Sequence, residues 1–342
     1  MPVHAPDPRS IGRKIETWFA RHQRPLPWRE SYDPYHVWVS EVMLQQTRME
    51  VVVPYFERFL ERFPTLAALA AATDRDVMAT WSGLGYYRRA RMLREGAAAV
   101  MERFDGRIPS TVEELVTIPG IGRYTAGAIA SIGFDARAPI VDGNVARVVS
   151  RVFGVDAMNE YWHYAELLAQ RCRSPRALNQ GLMEIGALVC KPRNPSCLLC
   201  PARDACVALA TGRIDALPPP KPKKATRELR IPLYLIADAQ GRVLMRRESG
   251  ALMNDMYHLP HGDTSLLPGH PLDAKRLDLL GAFRHTITNR KIEFEVYVAE
   301  WRGRVRGEFE WIDPDALDDV PHPSYVRKAL RIWSAAAPAA AF

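Results

Sequence analysis

Four cysteines crowded into one short segment constrain this chain more than any other feature. They follow the spacing C-x6-C-x2-C-x5-C, and the chain holds only five cysteines in all. Four thiolates this close can enclose either a [4Fe–4S] cluster or a single zinc ion, and soft ligands alone do not choose between the two. We therefore predict a metal centre, mainly structural, held by Cys190, Cys197, Cys200 and Cys206. Cys172 is interpreted as an ordinary helical residue.

A double-glycine turn precedes the cysteines in the run Pro119-Gly120-Ile121-Gly122. Two glycines this close let successive backbone N–H groups point outward at the start of a helix, which indicates a phosphate site. The alternative is an ordinary turn between two helices, with Gly120 as a C-cap. The stretch closes on Asp142-Gly143-Asn144, where Asp142 can cap a helix over residues 145–153.

Composition limits the class of protein. The 342 residues suffice for two domains, and the formal net charge of +7 suits a polyanionic partner. No apolar run is long enough to span a membrane, and the proline-rich start does not read as a signal peptide. The cysteine pattern differs from a secreted disulfide framework. We expect a cytoplasmic protein in a reducing, intracellular setting.

The hydrophobic period changes part-way along the chain. It is helical through about residue 210, with one helical pattern running from residue 35 to about residue 63, which predicts an all-α domain over residues 11–215. A stiff linker rich in proline and lysine follows over residues 216–227. A small α+β domain is then predicted over residues 228–333. The signs are alternating strands, one late helix and a hairpin signature at Asp238-Ala239-Gln240-Gly241. Residues 1–10 and 334–342 are expected to be disordered.

The hairpin, Asp142 and the four-cysteine loop together resemble the helix-hairpin-helix base-excision glycosylases of the endonuclease III superfamily. That cysteine spacing holds a [4Fe–4S] cluster in the superfamily, so the resemblance favours iron–sulfur over zinc. It also implies a six-helix part over residues 31–134 and a cluster part formed by residues 11–30 and 135–215.

One position separates the subfamilies. Endonuclease III carries a Schiff-base lysine where this chain has Tyr124, which predicts a monofunctional glycosylase with little lyase activity. Ala146 also stands where some relatives carry a lysine. Five segments resemble the MutY family of adenine DNA glycosylases: Leu26-Pro27-Trp28-Arg29, the run VSEVMLQQT over residues 39–47, GLGYY over 83–87, VDGNV over 141–145 and MEIGA over 183–187.

The resemblance implies an enzyme that removes adenine mispaired with 8-oxoguanine or guanine. Glu41 would protonate the adenine, and its apolar neighbours predict a partly desolvated carboxyl with a raised pKa. Asp142 would stabilise the cationic sugar, either as a charge or as a transient nucleophile, and helix amides are expected to keep it ionised. Asn144 would orient Asp142, and the Tyr124 hydroxyl would hydrogen-bond the site.

The same resemblance implies a set of residues that contact DNA, with double-stranded DNA as the partner of a monomeric enzyme. Arg29 and Glu184 would line the adenine pocket, Leu44 would bind substrate or DNA, and Gln46 and Tyr86 would wedge into the base stack. Gly120, Gly122 and Arg123 would grip phosphates.

The C-terminal domain resembles the Nudix-related domain that this family uses to read the 8-oxoguanine strand. The glutamate-rich metal motif of Nudix hydrolases is missing between residues 262 and 280, so we predict recognition rather than hydrolysis. Phe283-Arg284-His285 matches the family's lesion-reading loop Phe-Ser-His, with arginine in place of the serine.

Two other functions stay open. A glycosylase for thymine at T·G mismatches would keep the hairpin, Asp142 and the cluster, but the segments around Gln46 and Tyr86 disfavour it. A non-catalytic DNA-binding or redox-sensing protein would bind lesions without releasing a base. The presence of both Glu41 and Asp142 argues against that alternative.

Overall fold

A computed structural model of the chain describes residues 6–220, 225–248, 256–261, 277–287, 289–299 and 308–336. Contacts divide the chain into two compact units. The first unit comprises Met1–Ala71 and Met92–Pro222, and the second comprises Ala72–Arg91 and Lys223–Phe342. The short segment Ala72–Arg91 therefore groups with the C-terminal domain, which the sequence did not indicate. None of the helices in the described ranges is long and apolar enough to cross a membrane.

The first unit is built from helices, as the sequence predicts. The helices are α1 (Pro8–His22), α2 (Pro34–Leu44), α3 (Met49–Arg62), α4 (Leu66–Ala71), α5 (Asp74–Thr80), α6 (Arg88–Arg103), α7 (Val112–Leu115), α8 (Arg123–Ala128), α9 (Gly143–Phe153), α10 (Met158–Arg171), α11 (Pro175–Glu184) and α12 (Val207–Ala210). Of these, α5 and the start of α6 belong to the second unit. Short π-helical turns extend α8 and α11, over Ile129–Gly133 and Ile185–Val189.

Two helix boundaries differ from the prediction. Helix α1 begins at Pro8 because the Asp7 carboxylate accepts the N–H groups of Arg9 and Ser10, so the end of the segment expected to be disordered is helical. The helical period over residues 35–63 belongs to two helices rather than one. The chain turns between them at Gln46, whose φ of 60° is left-handed.

Helix α1 packs against α10 and α11 to cover the cysteine-bearing half of the first unit. Ile11, Ile15, Val149 and Leu178 are among its fully buried core residues. Gly181 on α11 makes the close approach possible, since a Cβ there would lie 2.7 Å from the Ile15 side chain.

The glycine turn between α7 and α8 adopts the predicted hairpin. Gly120 has a φ of +79°, and a Cβ at this position would lie 2.8 Å from Cβ of Met92. Both the left-handed backbone and the missing space require glycine. Helix α8 then begins directly after Gly122.

The C-terminal part of the second unit is α+β, as predicted. Its elements are β1 (Arg227–Leu235), β2 (Val243–Glu248), β3 (Met256–His258), β4 (Leu277–Ile287), β5 (Arg290–Ala299), β6 (Phe309–Ile312) and α13 (Ser324–Ala336). One sheet has the order β1-β5-β4, with β1 parallel and β4 antiparallel to β5. The other has the order β3-β2-β6. Helix α13 packs on β4 and runs three residues into the tail expected to be disordered.

Phe283-Arg284-His285, predicted to form a lesion-reading loop, lie inside β4, so their backbone is a strand and not a loop. Each pairs with β5, and the pairing continues to Ile287↔Arg290, so the hairpin connection comes only after Ile287. Arg284 is exposed, whereas the rings of Phe283 and His285 lie 5.4 and 6.3 Å from that of Phe294. Strand alternation explains the difference, since successive side chains point to opposite faces.

Candidate active site

Glu41 lies on α2 with only 5% of its surface exposed, which rules out a solvated glutamate. The Tyr124 hydroxyl donates a hydrogen bond of 2.5 Å to its Oε2. The pKa of Glu41 is raised to about 7, mainly by burial. The hydrogen bond from Tyr124 lowers this pKa, and the charge of Asp142 raises it. The carboxyl is therefore able to hold a proton near neutral pH. Burial also raises the pKa of Tyr124, which keeps its hydroxyl a donor.

Asp142 caps α9, as the sequence predicts. Its Oδ1 accepts the Val145 N–H at 2.7 Å, and its Oδ2 accepts the Asn144 side-chain amide at 3.1 Å. The sequence suggested that such donors set its ionisation. Burial nevertheless has the larger effect and raises the pKa of Asp142, while these hydrogen bonds and Arg147 lower it. The two carboxyls of the site therefore differ in their hydrogen-bond donors. Asp142 accepts from several donors, which favour its anion, whereas Glu41 accepts from the Tyr124 hydroxyl.

Arg147 connects the Asp142 turn to the cysteine segment, and the sequence did not reveal this role. Its guanidinium donates to Asn144 Oδ1 at 2.8 Å, to the Gly186 carbonyl at 2.7 Å and to the Cys190 carbonyl at 2.7 Å. Gly186 allows the contact, because a Cβ there would lie 2.5 Å from Cβ of Asn144. The orientation of Asn144, and through it of Asp142, therefore depends on the segment that leads into the cysteines.

One cavity of about 720 Å³ brings together eight of the predicted residues of the first unit. The predicted residues that line it are Glu41, Tyr124, Asp142, Asn144, Arg29, Leu44, Gln46 and Glu184. A cavity of this size suits a ligand with the dimensions of a nucleobase and its sugar.

The wall of the cavity near α11 carries a buried charge cluster that was only partly predicted. Glu184, 1% exposed, forms ion pairs of 2.8 Å with both Arg24 and Arg29. Arg29 Nε also donates to Gln180 Oε1 at 2.8 Å. Arg24 and Gln180 are additions to the predicted set, and two guanidiniums facing one carboxylate leave this wall positive. Separating these groups would leave an uncompensated buried charge, which is strongly destabilising. The charge cluster therefore holds this wall of the cavity in one arrangement.

The remaining predicted DNA contacts lie outside this cavity. Gly122 and Arg123 are exposed at the hairpin, next to Gly120, and the Arg123 guanidinium stacks 3.8 Å from the ring centroid of Trp162. Tyr86 and residues 283–285 belong to the second unit.

The four predicted metal ligands line a second, small cavity of about 20 Å³. Buried Arg151 closes one side, where its guanidinium contacts Cys190 Sγ at 3.5 Å and donates to the Lys191 carbonyl. Across the described ranges, no three His, Cys, Asp or Glu side chains are placed to hold a single metal ion. Cys172 lies directly after α10 with an extended backbone, so the prediction of a helical residue is wrong; its buried thiol donates to the Ala169 carbonyl, away from the cysteine cavity.

This chain is similar to known protein families and to individual proteins. Residues 39–174 match the family described as HhH-GPD superfamily base excision DNA repair protein. The adenine DNA glycosylase of Buchnera aphidicola subsp. Schizaphis graminum is 34% identical over 260 residues, which cover 74% of this chain and 75% of that protein. This chain belongs to the adenine DNA glycosylase family.

Within the adenine DNA glycosylase family, the relative from Rattus norvegicus is 44% identical over 231 residues. The match covers 62% of this chain but only 45% of the rat protein, so this chain spans less than half the length of that relative. Among solved structures, a thermostable thymine-DNA glycosylase matches with a TM-score of 0.55 at 28% identity, over 60% of this chain and 97% of that one.

Proposed function

We propose that this protein is a base-excision repair glycosylase that hydrolyses the N-glycosidic bond of adenine mispaired with 8-oxoguanine or guanine. The observation that carries the proposal is the joint position of Glu41, Tyr124 and Asp142 on one cavity. A protonated acid and an anion on the same cavity are what departure of a poor leaving group from a sugar requires.

Glu41 is the acid in this proposal. Adenine leaves poorly as an anion, so protonation at N7 must accompany cleavage of the bond between N9 and C1′. The electron pair of that bond goes to the base, and the proton comes from the Glu41 carboxyl, whose pKa of about 7 keeps it available at neutral pH. Tyr124 holds the carboxyl in place through its hydroxyl. Glu41, once ionised, then takes a proton from the attacking water.

Asp142 acts on the other half of the reaction. Cleavage leaves positive charge on C1′ and the ring oxygen of the sugar, and a carboxylate fixed beside it stabilises that charge. Val145 and Asn144 hold both oxygens of Asp142, so little reorganisation is needed as the charge develops. No lysine stands at position 124 or 146, which supports hydrolysis without a Schiff base and hence a monofunctional enzyme.

Double-stranded DNA is the proposed partner, and the adenine must leave the stack to enter the cavity. Gly120, Gly122 and Arg123 are proposed to hold phosphates, while Gln46 and Tyr86 fill the space around the orphaned purine. Arg29, Leu44 and Glu184 would contact the extruded base. We also propose that the protein acts as a monomer in the cytoplasm.

Base excision from a panel of duplexes tests this function. The duplexes differ only in the base opposite adenine (8-oxoguanine, guanine, cytosine or thymine), and one more carries a T·G mismatch. We expect adenine release only opposite 8-oxoguanine and guanine, with no strand scission before the abasic sites are cleaved chemically. Thymine release from T·G without adenine release would favour the alternative glycosylase, for which the thymine-DNA glycosylase structure gives some support.

We propose that Cys190, Cys197, Cys200 and Cys206 hold a [4Fe–4S] cluster. The cysteine spacing resembles that of the endonuclease III superfamily, where it holds such a cluster, and residues 39–174 match the HhH-GPD family. All four cysteines line one small cavity, which supports a shared metal centre. When bound, the cluster would fix the loop that Arg147 and Arg151 tie to α9.

Replacing Cys200 with serine tests the cluster. Protein purified without oxygen is expected to contain about four irons per chain, and Cys200→Ser should lose most of them together with the visible absorbance. Because metal binding contributes to folding, its melting temperature should also fall. Cys172→Ser is the matched control and should keep its iron. One zinc and no iron in the wild-type protein would contradict the proposal.

A further inference from the structure

Residues 82–87, which we name the Tyr86 loop, connect α5 to α6 in an unusual backbone conformation. Gly83, Gly85 and Tyr86 have left-handed φ values of 98°, 73° and 50°. Glycine adopts this region freely, but a tyrosine does not, so the surroundings must hold Tyr86 in place. Tyr86 is nevertheless 42% exposed. The loop therefore presents a large aromatic side chain outward from a constrained backbone.

Contacts within the loop and its flanks provide part of the restraint. The Trp81 indole N–H and Arg89 Nη2 both donate to the Gly85 carbonyl at 3.1 Å. The Arg89 guanidinium lies 5.4 Å from the ring centroids of both Trp81 and Tyr86. These groups fix the side of the loop that faces α6.

The other side of the loop is fixed by Pro321–Pro323 of the C-terminal domain, which we name the His322 segment. The Tyr87 hydroxyl accepts the Gly83 N–H at 3.1 Å and donates to the His322 carbonyl at 2.7 Å. Ser82 Oγ lies 3.2 Å from His322 Nδ1. Tyr87 thus links the left-handed turn directly to residues far along the chain.

The His322 segment is itself well anchored in the C-terminal domain. All three of its residues are buried. The Tyr257 N–H of β3 donates to the Pro321 carbonyl at 2.8 Å, and the Val326 N–H of α13 donates to the Pro323 carbonyl at 3.0 Å. A rigid support of this kind can transmit the position of β3 and α13 to the Tyr86 loop.

We propose that the His322 segment, acting through Tyr87, positions Tyr86 as the wedge that holds the base stack open. The inference rests on the proposed glycosylase function. It gives the C-terminal domain a second route to influence excision, through a protein contact in addition to any contact with the lesion strand. Tyr87 and His322 are positioning residues here, and neither touches the reacting atoms. An aromatic wedge works only if its backbone resists displacement by the stacked bases.

Tyr87→Phe tests this role because it removes one hydroxyl and keeps the ring. The Gly83 N–H, in a part-buried hydrogen bond, and the buried His322 carbonyl then lose this partner. We expect single-turnover excision of adenine opposite 8-oxoguanine to slow by about tenfold. Amide exchange at Gly83 and Gly85 should accelerate by a similar factor. Tyr35→Phe is the matched control, since its buried hydroxyl donates to the Phe63 carbonyl at 2.8 Å within the first unit.

A double-mutant cycle separates positioning from general destabilisation. If Tyr87 acts through Tyr86, adding Tyr87→Phe to Tyr86→Ala should cause no further loss of excision. An equal tenfold loss in both backgrounds would overturn the proposal, as would a Tyr87→Phe protein no slower than the Tyr35→Phe control. Ser82→Ala provides a second, milder variant that should change both readouts in the same direction.

Amide exchange keeps this inference distinguishable from the proposed function. A wild-type protein that released no adenine would contradict the glycosylase proposal. Faster exchange at Gly83 and Gly85 in Tyr87→Phe alone would still support the positioning contact. Unchanged exchange at these two amides would refute it, whatever the excision assay shows.

Discussion

Asp142→Asn is expected to slow adenine excision by about a thousandfold while leaving duplex binding close to that of the wild type. The substitution removes the negative charge proposed to stabilise the cationic sugar, and preorganised electrostatic groups of this kind contribute factors of about 10² to 10³ each. Asparagine still caps a helix well, so the Val145 N–H keeps an acceptor and the fold should persist. Single-turnover kinetics and a binding titration on the same A·8-oxoguanine duplex measure the two quantities.

Asp33→Asn is the matched control for this variant. Asp33 caps α2 by accepting the Tyr35 and His36 N–H groups, but it does not line the active-site cavity. We expect its excision rate to equal that of the wild type. Equal rates for wild type and Asp142→Asn would remove Asp142 from the mechanism.

Glu41→Gln is expected to slow excision by about 10² to 10⁴-fold, the range that general acid catalysis contributes. Glutamine keeps an oxygen that can accept the Tyr124 hydroxyl but has no acidic proton to give to adenine N7. Glu16→Gln serves as the control, because that carboxylate accepts the Arg173 and Ser174 N–H groups away from the cavity. A Glu41→Gln enzyme with a wild-type rate would contradict the assignment of the acid.

The pH profile gives the same hypothesis an independent check. The pKa of Glu41 is about 7, so the wild-type rate should fall roughly tenfold per pH unit above that value as the proton is lost. At low pH the rate should fall as Asp142 becomes protonated. Because the pKa of Asp142 is raised, this fall should occur at a higher pH than for an ordinary aspartate. Glu41→Gln should lack the alkaline limb.

The free energy of unfolding should depend on the ionisation of Glu41, independently of any catalysis. Since burial raises the folded-state pKa of Glu41 from 4.5 to about 7, its carboxyl favours folding below pH 4.5 and loses that contribution as the pH rises to about 7. Relative to the wild type, Glu41→Gln should therefore gain about 3 kcal/mol in the free energy of unfolding over this range. Chemical denaturation at several pH values measures it.

The sequence predicted those parts of the candidate site whose residues lie close together along the chain. Four cysteines within one loop can meet only locally, and the glycine turn at Gly120 has a backbone that few other residues allow. Glu41, Tyr124 and Asp142 could be assigned together because each lies in a motif that resembles the family. Their shared cavity then agrees with that assignment.

The features that the sequence did not reveal depend on distant partners. Arg147 and Arg24 are ordinary arginines in the sequence, and only folding brings them to Asn144 and Glu184. The burial of Asp142 was also missed, because cap donors can be predicted from the sequence whereas desolvation depends on the whole cavity.

Matching short motifs fails where register matters. Phe283-Arg284-His285 matched the family's Phe-Ser-His loop by resemblance, but continuous pairing with β5 keeps these residues in a strand. Likewise, the helical period over residues 35–63 gave no sign of the turn at Gln46, since one left-handed residue interrupts a helix without changing the apolar pattern around it.

Direct detection of the released base tests the central claim most simply. Wild-type protein is incubated with a duplex carrying one adenine opposite 8-oxoguanine, and the small-molecule fraction is analysed by mass spectrometry, with Glu41→Gln and Asp142→Asn in parallel. The account predicts free adenine and an intact abasic strand from the wild type, and almost none from either variant. Tight binding of this duplex by the wild-type protein without any free adenine would contradict it.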